Sequence, residues 1–293
     1  MSKSDLQSIV AILVTLLIGA GVAWAGSQGG VRINGMPLFA LCAVVAFVVQ
    51  WLVFIPAWFA QTEHYFDLTG SLTYLTLVFM AFFLADIGDT RSLLLLALIS
   101  VWALRLGSFL FMRVKQDGSD GRFDAIKPKF WRFLMTWTLQ GLWVFLTLSA
   151  ALAAMTSGAP GPLEPVALIG VVVFAVGFVI EVVADRQKRS FRNDPANAGR
   201  FIRSGLWAWS RHPNYFGEIT LWIGVFLIAA PALVGWQWVT ILSPLFVIVL
   251  LTKVSGIPML EARGRKRWGD DPEYRAYIDR TSVLIPLPPK SAT

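Results

Sequence analysis

The sequence predicts an all-α, polytopic integral membrane protein of about eight transmembrane helices. Three observations predict it. Of the 293 residues, 56% are apolar and only 15% charged, against about 25% charged in an average soluble domain. The mean hydropathy is +0.63, which excludes a disordered chain and argues against a water-soluble one. The apolar residues also gather in eight runs, each near the roughly 20 residues that cross a bilayer as a helix.

The runs lie near 6–25, 38–59, 68–86, 92–112, 133–156, 163–184, 215–234 and 238–259. The first ends in Ala23-Trp24-Ala25, which resembles a signal-peptide cleavage site. Its apolar length exceeds the usual ~7–15 residues of a signal peptide, so an uncleaved span is expected, with seven spans the other outcome. The second run holds Cys42, the one cysteine, which excludes an intrachain disulfide and a cysteine zinc site. A short polar segment follows, Gln61-Thr62-Glu63-His64-Tyr65-Phe66-Asp67, with two carboxylates, an imidazole and a phenol; a plain polar turn would also account for it. Gly29-Gly30, Gly158–Pro162 and Pro286–Pro289 mark further loops.

Lys and Arg divide unevenly between the two sides of the eight spans. The N-terminus, 113–132, 185–214 and 260–293 together carry 21, and the opposite side carries Arg32 and Arg91 alone. The positive-inside rule then puts the basic loops and the C-terminus in the cytoplasm. Other charges fall within or at the ends of spans: Arg105 in the fourth, Glu181 and Asp185 four apart in the sixth, Glu218 in the seventh, Lys253 and Glu261 about the eighth. Ion pairing and snorkelling would satisfy those near the ends. A charge deep in hydrocarbon costs several kcal/mol by most scales, about 2.5–3.5 kcal/mol on the mildest, and marks a functional position.

The segment 185–214 is the most informative. It interleaves Arg186, Lys188, Arg189, Arg192, Arg200, Arg203 and Arg211 with Phe191, Phe201 and Trp207, and closes on His212-Pro213-Asn214-Tyr215-Phe216-Gly217-Glu218. Pro213 suits the first turn of a helix. A helix N-terminus ringed with Arg is an anion site. Arg forks pair with phosphate, aromatic faces stack on purines, and Asn214 and Glu218 share one helix face. The residues therefore point to a phosphorylated, nucleotide-like ligand, with anionic lipid headgroups as the competing ligand. His212 could act as a base or simply start the helix. With His64 the only other histidine, no metal site is expected, and no nucleic-acid partner either. Neither a Gly-x-Gly-x-x-Gly unit nor a Walker loop is present.

These residues resemble a known family. Gly205-Leu206-Trp207, Ser210-Arg211-His212-Pro213-Asn214-Tyr215-Phe216-Gly217-Glu218, Ser255-Gly256-Ile257-Pro258, Arg263 with Lys266-Arg267-Trp268-Gly269, Tyr274, Tyr277 and Leu284-Ile285-Pro286 look like the bacterial membrane relatives of the steroid 5-alpha-reductase C-terminal domain. The likeness runs from about Asp67 to Pro286 and is most specific in the C-terminal half. It divides the chain into N-terminal transmembrane helices (1–60) and a reductase-like membrane domain (61–293).

The resemblance implies a bacterial inner-membrane enzyme with NADPH held by the C-terminal helices. Asp185, Arg189, Arg192 and Arg200, with Arg211, His212 and Tyr215, would surround the cofactor. Asn214 and Glu218 would meet the nicotinamide, with Arg105 and Trp268 or Tyr274 completing that side. The implied reaction reduces a carbon–carbon double bond conjugated to a carbonyl in a lipophilic, steroid-like or isoprenoid substrate. Glu63, with Tyr65 or Asp67, would hold the carbonyl oxygen. Three residues before Arg105 the animal enzymes carry Tyr, where this chain has Trp102; an indole N–H donates a hydrogen bond but delivers no proton. Two alternatives stand beside the reductase. One is an S-adenosylmethionine-dependent methyltransferase of the isoprenylcysteine or phospholipid type, which shares an Arg-His-Pro-x-Tyr motif. The other is a non-catalytic lipid-binding membrane protein. The basic cluster favours NADPH, since adenosylmethionine carries no phosphate.

Overall fold

The computed structural model describes residues 2–117, 121, 123–158 and 161–290. Ala159 and Pro160 of the expected 158–162 loop, and 118–120 and 122 of the basic loop 113–132, lie outside the described residues. The protein is all-α and polytopic, with eight helical segments among the described residues long and apolar enough to cross a membrane. Among the described residues the α-helices are α1 (Lys3–Gly26), α2 (Leu38–Ala60), α3 (Phe66–Ala85), α4 (Thr90–Asp117), α5 (Phe130–Met155), α6 (Pro165–Asn193), α7 (Pro213–Ala229), α8 (Leu242–Val249), α9 (Ile257–Trp268) and α10 (Pro272–Arg280).

The chain forms two compact units, Met1–Ala167 with Ile228–Ser243, and Leu168–Leu227 with Pro244–Thr293. In the first unit α5 is the central helix, and 83% of its apolar window is buried. Polar side chains join its helices where lipid offers no partner. Gln50 Nε2 donates to Thr73 Oγ1 (2.8 Å), Trp51 Nε1 to Thr138 Oγ1 (3.1 Å), and Gln140 Nε2 to the Phe66 carbonyl (3.0 Å). Arg91, buried at the start of α4, is bound to Glu164 and to the Pro162 carbonyl. Between α1 and α2 the chain turns through a two-stranded hairpin, Arg32–Ile33 against Met36–Pro37. Asn34 (φ 48°) and Gly35 (φ 83°) form its tip. Two central residues with positive φ make the turn whose twist matches the strands, and Asn-Gly is the pair that adopts it at least cost.

The second unit rests on close backbone contact between α6 and α7. A Cβ on Gly217 would stand 2.6 Å from the Glu181 nitrogen and 2.7 Å from the Gly177 carbonyl. One on Gly224 would stand 2.7 Å from the Gly170 carbonyl. Gly170 and Gly177, like Gly217 and Gly224, are seven apart, so each pair lies on one face two turns apart. Small residues at a membrane-helix contact let backbones approach for van der Waals packing.

Two expectations change. α6 runs nine residues past 184 to Asn193, so Asp185, Arg186, Arg189 and Arg192 sit on a helix and not in a loop. Hydropathy marks the apolar part of a helix and not its hydrogen-bonded end, and cations suit a helix C-terminus. The eighth run is not one uniform α-helix. Gly235–Ile241 is 3-10, Leu242–Val249 is α, Leu250–Val254 is π, and the chain breaks at Ser255-Gly256 before α9.

Candidate functional site

The N-terminus of α7 is set by proline and by the C-terminal tail. Pro213 opens the helix, where its missing N–H would have no intrahelical partner anyway. The residues before it are tied to the tail. The Arg211 N–H donates to the Ser282 carbonyl (2.8 Å), and the Ser210 hydroxyl to the Leu284 carbonyl (2.8 Å). The His212 N–H donates back to Ser210 Oγ (3.1 Å).

Glu261, on the second turn of α9, receives this segment. Arg211 Nη1 donates to one carboxylate oxygen at 2.8 Å, and His212 Nε2 lies 2.9 Å from the other. A carboxylate beside a guanidinium accepts hydrogen bonds, so Nε2 carries the imidazole proton and Nδ1 presents a lone pair. Burial holds His212 below the ordinary value of 6.5, outweighing the upward pull of Glu261. The imidazole stacks on Tyr215, with centroids 5.8 Å apart and planes 11° off parallel. Gly256 gives the Tyr215 ring room, since a Cβ there would come 2.9 Å from it.

Three buried polar atoms of residues 211–214 have no hydrogen-bond partner among the described residues: Arg211 Nε, His212 Nδ1 and Asn214 Oδ1. Each such atom costs about 1–3 kcal/mol if left so, and calls for a ligand or ordered water. One donor and two acceptors thus gather at a helix end that also presents free N–H groups.

In the same unit Arg186, Arg189, Ser190, Asn193 and Asp194 line an open depression of about 510 Å³. The end of α6 that carries it is pinned: Trp207 Nε1 donates to the Ala184 carbonyl (3.0 Å), and Gln187 Oε1 accepts from the Leu206 N–H (2.9 Å). Lys188 Nζ sits 4.6 Å over the Trp207 ring. Asp185 is buried, Glu218 half-buried, and Arg192 and Arg200 exposed. Trp268 and Tyr274 pack with Phe201 and Tyr277 in one aromatic cluster. Tyr277 donates to the Trp207 carbonyl (2.8 Å), and burial pushes the phenols of Tyr274 and Tyr277 up.

The remaining expected site residues belong to the first unit. Glu63 is buried and bound to Lys127 at 2.8 Å, a partner that no local sequence pattern singles out. That bond holds the Lys127 ammonium above its usual range. Tyr65 is exposed and touches His64, and Asp67 stands in the first turn of α3. The Arg105 guanidinium lies over Phe109, 5.3 Å from its centroid. Trp102 is buried edge-on against Tyr74, with centroids 5.0 Å apart. Among the described residues no group of three His, Cys, Asp or Glu side chains could hold a metal ion. Glu261, named in the sequence only as a charge at the end of the eighth span, and Ser210, named only within the family motif, are the site residues whose hydrogen-bond partners the sequence does not specify. An acid just beyond an apolar run is the only signal for the first.

The family described as "Protein of unknown function (DUF1295)" matches residues 53–281, and the chain belongs to it. A probable O-methyltransferase, ustE, of Ustilaginoidea virens is 34% identical over 118 residues, 33% of this chain and 41% of that protein. An uncharacterised protein of Schizosaccharomyces pombe is 25% identical over 231 residues, 69% and 65% of the two chains. The 3-oxo-5-alpha-steroid 4-dehydrogenase 1 of Mus musculus is 27% identical over 124 residues, 42% and 43%. The matches cover less than two thirds of each relative's own length. No solved structure matches the chain.

Proposed function

We propose that this member of the DUF1295 family is a membrane reductase that takes NADPH and reduces a carbon–carbon double bond conjugated to a carbonyl in a lipophilic, steroid-like or isoprenoid substrate. The observation that carries the reading is the set of unpartnered buried atoms at the start of α7, in the same unit as a basic depression on α6. A nicotinamide carboxamide has an N–H₂ to give to His212 Nδ1 or Asn214 Oδ1, and a carbonyl to accept from Arg211 Nε. Arg186 and Arg189, with Arg192 and Arg200, suit the phosphates. NADPH would supply the hydride. The distant likeness to the mouse steroid dehydrogenase supports the reductase class.

A second reading, an S-adenosylmethionine-dependent methyltransferase, is favoured by the likeness to ustE. The basic residues on α6 weigh against it, because adenosylmethionine has no phosphate for them. Thermal-shift titration of the purified protein with NADPH, NADH and adenosylmethionine separates the two. The reductase reading expects stabilisation by NADPH, much less by NADH, and loss of the effect in Arg192→Ala and Asn214→Ala. Stabilisation by adenosylmethionine and none by NADPH overturns it. Glu63→Gln is expected to keep the NADPH shift and to lose enone reduction; equal turnover clears Glu63 of a role.

A further inference from the structure

The first unit holds a groove of about 760 Å³ between α1 and α2, lined only by residues from Leu16 to Trp51. It therefore lies wholly before residue 53, where the family match begins. Its volume is within the roughly 300–1,000 Å³ of small-molecule sites. Ala20, Ala40 and Ala43 line it with short side chains, while the space beside Gly19 is taken by the Phe47 ring, 2.9 Å from where a Cβ would stand.

The groove is apolar along its length and polar at one end. On α2 its lining runs from Ala40 to Trp51, about 17 Å at 1.5 Å per residue. That is shorter than the ~30 Å hydrocarbon core, so a spanning helix would not be accommodated along its whole length. One hydrocarbon chain of a single leaflet would be. At the hairpin end the lining includes Gln28, Gly29, Gly30 and Arg32. Arg32 is exposed, and one of its N–H groups is taken by the Gly35 carbonyl at 2.9 Å. No carboxylate pairs with it among the described residues, whereas Arg91, the other cation of the helix ends on that side, is bound to Glu164. The hairpin thus holds an uncompensated guanidinium over the mouth of an apolar slot.

We propose that this groove is a phospholipid site: Arg32 binds the headgroup phosphate and one acyl chain lies between α1 and α2. The charge is complementary, and the remaining guanidinium N–H groups match two phosphate oxygens. The polar end and apolar body have the order of a lipid.

The test uses the full chain purified in mild detergent, with phosphatidylglycerol and the matching diacylglycerol as probes and native mass spectrometry as the readout. One phosphatidylglycerol per chain is expected to be retained about tenfold better than diacylglycerol, the factor of one charge-assisted hydrogen bond. Arg32→Ala, on an exposed hairpin, should abolish that preference without loss of folding. Ala40→Phe, which fills the groove, should release both lipids. Equal retention of the two lipids by the wild type, retention unchanged in Ala40→Phe, or a protein dimer that Ala40→Phe disrupts would each overturn the proposal.

Discussion

His212 Nε2 and Glu261 Oε1 are 2.9 Å apart across 49 residues of sequence, and the same carboxylate holds Arg211 at 2.8 Å. One acid thereby fixes both residues that precede α7. It also fixes the imidazole tautomer, and so decides that the buried Nδ1 accepts.

Stability should fall in mild acid through His212. Its folded pKa is lowered by burial, while the unfolded chain has the ordinary 6.5. The contribution is complete above 6.5 and is lost as pH falls from there toward the lowered folded value, because only the unfolded state takes the proton. Thermal midpoints measured from pH 8 to pH 5 should drop more for wild type than for His212→Gln. Parallel curves would remove His212 as the cause.

Glu261→Ala should destabilise the protein by about 2–3 kcal/mol, since a largely buried guanidinium loses its carboxylate. Adding Arg211→Met should recover part of the loss. Denaturation of the two variants beside wild type measures this; an additive double variant would mean that the pair is not coupled.

Gly217→Ala should cost about 2 kcal/mol or more, because its methyl would strike backbone atoms of α6 that cannot move aside. A Cβ on Gly21 in α1 would meet nothing within 4 Å. Gly21→Ala should be neutral or slightly stabilising, as alanine is the better helix former. Thermal midpoints of the pair make the comparison, and equal losses would refute the packing account.

Lys127→Met should be worse than Glu63→Gln/Lys127→Met. The single variant strips a buried carboxylate of its counter-charge, and the double variant removes the charge as well. A double-mutant cycle on thermal stability should show coupling of about 1–3 kcal/mol. No coupling would mean that the 2.8 Å contact contributes nothing to the folded state.

Apolar composition makes the spans legible, because a helix in lipid must be apolar wherever it meets hydrocarbon. The start of α7 is legible too, since Pro213 acts locally. What hydropathy does not carry is hydrogen-bonding pattern. The 3-10, α and π turns from Gly235 to Val254 share one apolar character, and the last turns of α6 read as a loop because they are charged. Asn34-Gly35 is a hairpin signal that a search for spans passes over. The seven-residue spacing of glycines in α6 and α7 is likewise present in the sequence, but its meaning depends on which faces meet. The links of Glu261 to Arg211 and His212, and of Glu63 to Lys127, are pairings across 49–64 residues, which no local pattern specifies.

The hydrogen bonds from Arg211 and Ser210 to Ser282 and Leu284 also set an order of events during synthesis. α7 leaves the ribosome and can enter the bilayer well before residue 284 has been translated. Until then its first turn lacks the strap that aligns Arg211 and His212 with Glu261. The candidate site is therefore among the last parts of this chain to be completed, and a nascent chain stalled before Ser282 would be inserted with the start of α7 still unstrapped.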